Sequence, residues 1–372
     1  MRRFPWATAP LLVAACVPNP VLETTGGASG GGCITLVEGK DTSVPTASLP
    51  RPALNVPYTD EHYHLTVTRV TEASQVTDRD IPTRVRHEFS RRPAFNADST
   101  RALEDSSNGW FRLYQVNAEG TFTFLKTLSL ADDQEPNWDV TDPNKLSYFQ
   151  SHAEGLTIST YDVATDQSVV HRDLGSRVKM LFPNATGMWT AGEGRPSDDG
   201  KIWCVEVGHT VQPGGNFVAD GLISYDMATD EILGHMSVTE SPDHISTSPK
   251  GDYCVPSWTL PLGTRAYKTD FSSYTQLQDR TENSDLAITK GGVFCNPATQ
   301  WFNQKIVAVE LAANPKIYNL AHSHGGDAGY FGEATAVASP DLTKVLFTST
   351  WGSADDSKAH DYLIQVPSCA LP

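Results

Sequence analysis

The sequence predicts an all-β fold, a single β-propeller of six or seven four-stranded blades in which an N-terminal strand closes the last blade. Three observations predict it: a repeated unit, a composition rich in turn formers, and no amphipathic helical stretch of about 12 or more residues.

The repeat is a unit of roughly 40 to 57 residues, the range of propeller blades. Its first marker is an inner strand ending in a tight polar turn. It occurs at Asn96-Ala97-Asp98-Ser99, Thr141-Asp142-Pro143-Asn144, Ser197-Asp198-Asp199-Gly200, Ser248-Pro249-Lys250-Gly251, Ile288-Thr289-Lys290-Gly291 and Ser339-Pro340-Asp341-Leu342. Its second marker is an alternating strand followed by a short hairpin. Tyr161-Asp162-Val163-Ala164-Thr165-Asp166 and Tyr225-Asp226-Met227-Ala228-Thr229-Asp230 are nearly copies of each other, with weaker versions at residues 113–120, 266–270 and 307–311. By these markers six blades begin near Glu88, Gln134, Gly192, Asp243, Asn283 and Glu333, and a seventh stays open. The last blade supplies three strands, so its outer strand is expected from residues 62–70, which would hide the sheet edges.

Hydrophobic residues make up 39% of the 372, while 28 Gly and 24 Pro join frequent Asp, Asn, Ser and Thr between short apolar runs. Turn formers at that density belong to many short strands, and a repeat domain of this length needs no second core. The formal charge of −16 excludes general binding to nucleic acid or to an anionic membrane surface, since both are held through Lys and Arg. An anionic ligand would need a local basic pocket.

At the N-terminus, Arg2 and Arg3 precede a short apolar run that contains Leu11, Leu12 and Val13 and is too short to span a bilayer. It ends in Leu12-Val13-Ala14-Ala15-Cys16, which resembles a bacterial lipobox. Residues 1–15 are therefore expected to be a lipoprotein signal peptide, Cys16 the lipidated residue, and 16–57 a linker rich in Gly, Ser and Pro. Residues 58–372 are expected to be the propeller. This implies an exported protein on the cell envelope that touches the membrane only through its lipid. In an oxidising compartment Cys33 and Cys369, outside the two ends of the propeller, form a candidate staple, whereas Cys204, Cys254 and Cys295 read as buried strand positions.

In a propeller the segments leading into successive inner strands converge on one face of the channel. The polar residues there are His87, Glu88, Arg91 and Arg92 in blade 1, Gln134 and Glu135 in blade 2, and Glu193 and Arg195 in blade 3. They continue with Asp243 and His244, then Asn283 and Asp285, and finally His322, His324, Tyr330 and Glu333. His322-Ser323-His324 puts two imidazoles on one side of an extended segment, a spacing suited to a divalent metal such as Mn or Ca, with Glu333 as a further ligand; solvated loop histidines are the plain alternative. Arg91 or Arg92 can grip a carboxylate bidentately or bridge Glu88 or Glu135. No H-E-x-x-H, P-loop, dinucleotide or C-x-x-C signature is present.

At Ser90-Arg91-Arg92-Pro93-Ala94-Phe95-Asn96, Glu135-Pro136-Asn137-Trp138 and Ala338-Ser339-Pro340-Asp341, the chain resembles exported propellers of the TolB-like, oligogalacturonate-lyase-like and ulvan-lyase-like group. The lyase resemblance implies β-elimination on a uronic acid polymer, with His244 as base, Arg91 or Arg92 neutralising the carboxylate, and His322 and His324 holding the metal. The reading preferred at this point is a propeller that binds a glycan or an envelope protein through its channel face. Glu135, Glu193, Arg195, Asp285 and Tyr330 are its candidate contacts, and a polysaccharide lyase and an assembly scaffold are the alternatives.

Overall fold

The structure is a computed structural model that describes residues 33–43, 45, 49–89, 92–150, 154–192, 194–211, 216–258, 264–278, 304–309, 316–325 and 329–370. The signal peptide, Cys16, Arg91, Glu193, Asp285 and Cys295 lie outside them. The propeller is the compact unit Ile34–Pro372. No helix among the described residues is long and apolar enough to cross a membrane.

The described strands fall into six blades. Blade 1 holds Arg101–Ser106, Trp110–Val116 and Phe122–Ala131, with its inner strand marked by the Phe95–Ala102 bridge. Blades 2, 3 and 4 are four-stranded antiparallel sheets beginning at Asn137–Trp138, Gly187–Trp189 and His244–Thr247. Blade 6 runs Ala336–Ala338, Lys344–Ser349 and His360–Gln365, then receives Thr66–Arg69 and Pro57–Thr59 from the N-terminal side, with Gln365 opposite Thr66. That is the expected closure.

The turns explain the repeat. Ser99, Gly200, Gly251 and Leu342 all have positive φ, and the carbonyl of the next residue accepts an N–H from the end of the third strand: Val116 to Thr100, Met227 to Lys201, Thr269 to Asp252 and Val366 to Thr343. In the copied hairpins, Asp162 and Asp226 accept the N–H groups two residues on, Asp166 and Asp230 take positive φ, and the Tyr161 and Tyr225 hydroxyls donate to those second aspartates. Asp162 and Asp226 thus bond the backbone of their own turns, which is why Asp favours these hairpins.

The same turn bond corrects the reading of blade 5. Ser323 N–H donates to the carbonyl of Gln304, itself at positive φ, so Lys305–Val309 and Ile317–His322 are its second and third strands. The turn expected at residues 288–291 lies outside the described residues. Val37–Glu38 pairs with Tyr318 and Asn319 on the far side, and Leu36 is buried. The N-terminal segment therefore docks on the propeller well before residue 58, as a strap across blades 5 and 6, because unpaired outer edges of both blades are available to it.

The core is a ring of inter-blade clusters rather than one centre. Leu103, Phe111 and Leu113 meet Trp138 and Leu146 between blades 1 and 2. Phe149 and Ile158 meet Trp203 and Ile223 between 2 and 3, with Val178 of the helix Gly175–Leu181 inserted. Other clusters join blades 3 and 4, 5 and 6, and 6 and 1, where Leu346 and Leu363 pack on Phe95 and Tyr114. Cys204 and Cys254 are buried strand residues as expected, yet they are also joined as a disulfide that links blades 3 and 4. Cys33 and Cys369 are each disulfide-bonded too.

Candidate functional site at the channel mouth

Three aromatic rings from three blades meet in one stack. Phe89 lies in the segment leading into blade 1, His244 opens the inner strand of blade 4, and Tyr330 precedes the inner strand of blade 6. The buried Phe89 ring lies 6.0 Å from His244 at 16° and 6.2 Å from Tyr330 at 13°. Blades 1 and 4 face each other across a six-membered ring, so their lead-in residues touch only on the channel axis. His244 donates from Nδ1 to the Gly192 carbonyl at 3.0 Å, and Tyr330 remains 50% exposed, enough to offer a ring face to a ligand.

Arginines of the blade 1 lead-in lie beside this stack, with Arg86 6.0 Å from the Tyr330 ring. Arg84 lies 3.6 Å above the Phe331 ring; Arg86 lies 5.4 Å from Phe331 and donates to the carbonyls of His87 and Glu88, which shapes the lead-in segment. Arg92, 3% exposed, pairs with Glu88 through Nη1 and leaves Nε and Nη2 without a hydrogen-bond partner. Those two N–H groups form the parallel edge of the guanidinium, the fork that fits a carboxylate.

Two of the acidic groups beside them, Glu104 and Asp105, are shifted toward their neutral form. Glu104 is fully buried and shares a side-chain hydrogen bond with Asp361, which also accepts both the backbone N–H and Nδ1–H of His87. Burial, reinforced by the Asp361 charge, pushes Glu104 well above the usual carboxyl range; Asp361, despite its burial, is held low by His87, so one proton sits on Glu104. Burial pushes Asp105 up to about 7 against the pull of Arg86. A protonated Glu104 beside permanently charged arginines lowers the negative charge of this acidic chain at the mouth.

The other expected contacts divide. Glu135, expected to meet a ligand, instead accepts from Thr190 N–H, Thr190 Oγ1 and Gly192 N–H at 2.6 to 2.7 Å, which commits both oxygens to the junction of blades 2 and 3. Arg195 is half-buried and pairs with Asp198 at 3.0 Å.

The expected metal group is not assembled. No cluster of three or more His, Cys, Asp or Glu able to hold a metal occurs among the described residues. His322 donates Nδ1–H to Asp60 at 3.2 Å and faces Ser43 at Nε2, while His324, at positive φ, stacks on Trp351 at 4.1 Å, and burial pushes its imidazole down to about 4. Glu333 instead follows the short helix Tyr330–Gly332. Sequence reasoning also missed Phe89, Arg84, Arg86 and Glu104. The alternation of Arg84 and Arg86 on one side of the strand Val85–Arg86 was a usable signal, whereas nothing distinguishes Phe89 from an ordinary core phenylalanine.

Fold and mouth together define a β-propeller whose lead-in segments bring three aromatic rings together beside the arginines of blade 1. Among solved structures it is similar to an oligogalacturonate lyase from Vibrio parahaemolyticus, at 14% identity and a TM-score of 0.50, covering 84% of this chain and 96% of that one. It also matches a luciferin-regenerating enzyme at 12% identity and a TM-score of 0.43, over 75% and 92% of the two chains. A third match is TolB from Acinetobacter baumannii at 16% identity and 0.35, over 76% and 63%. Such identities bear on the fold alone. No family profile and no curated protein matches the sequence.

Proposed function

We propose that the protein is an exported, envelope-anchored binding propeller whose channel mouth takes an acidic saccharide. The observation that supports this most is the Arg92 fork, buried beside the Phe89 lead-in with Nε and Nη2 unpartnered, because a buried guanidinium edge without acceptors favours an incoming carboxylate. The half-exposed Tyr330 offers an apolar face to a sugar ring, and the protonated Glu104 removes a charge that would repel a uronate. The buried Cys204–Cys254 disulfide fits an oxidising compartment, as export and anchoring through Cys16 require.

Titration calorimetry of the protein with oligogalacturonate and with its methyl ester tests the reading. Binding of the acid and at least a tenfold weaker response to the ester are expected; equal binding, or none to either, would overturn it. Ultraviolet absorbance followed in the same samples separates binding from β-elimination with His244 as base, the turnover that the similar lyase structure carries in its name.

A further inference from the structure

Between blades 5 and 6 the N-terminal strap brings a serine against a histidine and an aspartate. Ser43 Oγ lies 3.3 Å from Nε2 of His322, and Nδ1 of the same ring lies 3.2 Å from Oδ2 of Asp60. Asp60 is 1% exposed. Its Oδ1 accepts the N–H groups of His62 and Tyr63, and its Oδ2 accepts the N–H of His322 at 2.8 Å. A carboxylate held this way stays ionised, fixes the Nδ1–H tautomer of His322, and turns Nε2 toward the serine as an acceptor.

The surrounding groups decide where the serine proton goes. Asp41 Oδ2 accepts from Ser43 Oγ at 2.6 Å and from the Tyr63 hydroxyl at 2.7 Å, so Tyr63 satisfies that oxygen whenever the serine hydroxyl turns to His322. Lys305, with a fully buried side chain, donates to the Asp41 carbonyl and sets a positive charge against the strap. Ser43 itself is half-buried.

We propose that Ser43, His322 and Asp60 form a nucleophilic site, separate from the channel mouth, that cleaves small carboxylic esters. Ser43 Oγ bonds to the ester carbonyl carbon as its proton passes to His322 Nε2. The tetrahedral species then expels the alcohol, which leaves with that proton. Water repeats the sequence on the acyl-serine, releasing the carboxylic acid and restoring the hydroxyl. The residues stand at positions 43, 60 and 322, so no local motif announces them.

The test is to treat the full chain, folded and in urea, with a fluorophosphonate probe and locate the adduct by mass spectrometry. A phosphonyl group on Ser43 of the folded protein is expected, absent from the unfolded chain. Hydrolysis of p-nitrophenyl acetate should fall by roughly a hundredfold in Ser43→Ala, a small change in a strap residue. No adduct on Ser43 in the folded protein, or equal labelling of Ser43 in urea, would overturn the proposal, and neither result depends on a variant folding.

Discussion

The channel mouth and the strap cluster hold the same kinds of residue in opposite states of satisfaction. At the strap, Asp60 accepts from four N–H groups, Asp41 from Ser43 and Tyr63, and both ring nitrogens of His322 have partners. At the mouth, Arg92 keeps two buried N–H groups unpaired. Titratable residues alone therefore do not mark a binding surface. The strap network ties the N-terminal segment to blade 5 and orders the proposed Ser43 site, whereas the Arg92 N–H groups at the mouth bear a desolvation cost that a ligand carboxylate would relieve.

The largest expected effect breaks the saturated side. Asp60→Asn removes the charge that His322 and two loop amides are organised around, and should cost about 3 to 5 kcal/mol in urea unfolding. An unchanged midpoint would mean that the strap contributes little to closure. Next in size, replacing Cys204 and Cys254 together by serine reopens a loop whose ends are 50 residues apart and should cost about 2 to 4 kcal/mol by calorimetry.

Stability against pH sharpens the comparison, because the two regions respond in opposite directions. Asp60 is held below its ordinary value of 3.8: burial opposes this, but the hydrogen bonds from His322 and Tyr63 prevail. Its contribution is present above pH 3.8 and is lost as pH falls through the lowered folded value. Asp105 is raised from 3.8 to about 7, and Glu206, in the second strand of blade 3, from 4.5 to about 7, both through burial. Their contributions are complete below those ordinary values and are lost as pH rises toward 7. Glu206→Gln should remove on the order of 2 to 3 kcal/mol of that decline between pH 4.5 and 7. A wild-type melting profile flat across that window would contradict the assignment.

Smaller effects concern the ligand. Arg92→Lys keeps the charge but loses the fork, and should weaken oligogalacturonate binding by about tenfold in calorimetry. Tyr330→Ala removes one half-exposed ring and should weaken it by only about threefold.

Much of the fold was legible in the sequence because it repeats: the polar turns and the Tyr-Asp hairpins carry local backbone bonds, and local chemistry leaves a local trace. The strap was read as linker because its pairing partners, Tyr318 and Asn319, lie about 280 residues away. The site was less legible for the same reason. His244 and Tyr330 were placed at the mouth by the convergence of lead-in segments, but the Phe89 ring that joins them is visible only once the blades close. His322 and His324 looked like a metal pair until Asp60, 262 residues away, took one ring and Trp351 the other.

Amide hydrogen exchange with and without oligogalacturonate at neutral pH tests the central claim most directly, since it compares both regions in one sample. Slower exchange across residues 84–89 and around Tyr330, with residues 60–65 unchanged, is the predicted result. Protection confined to residues 60–65, or no protection at residues 84–89 with ligand in excess, would contradict the account.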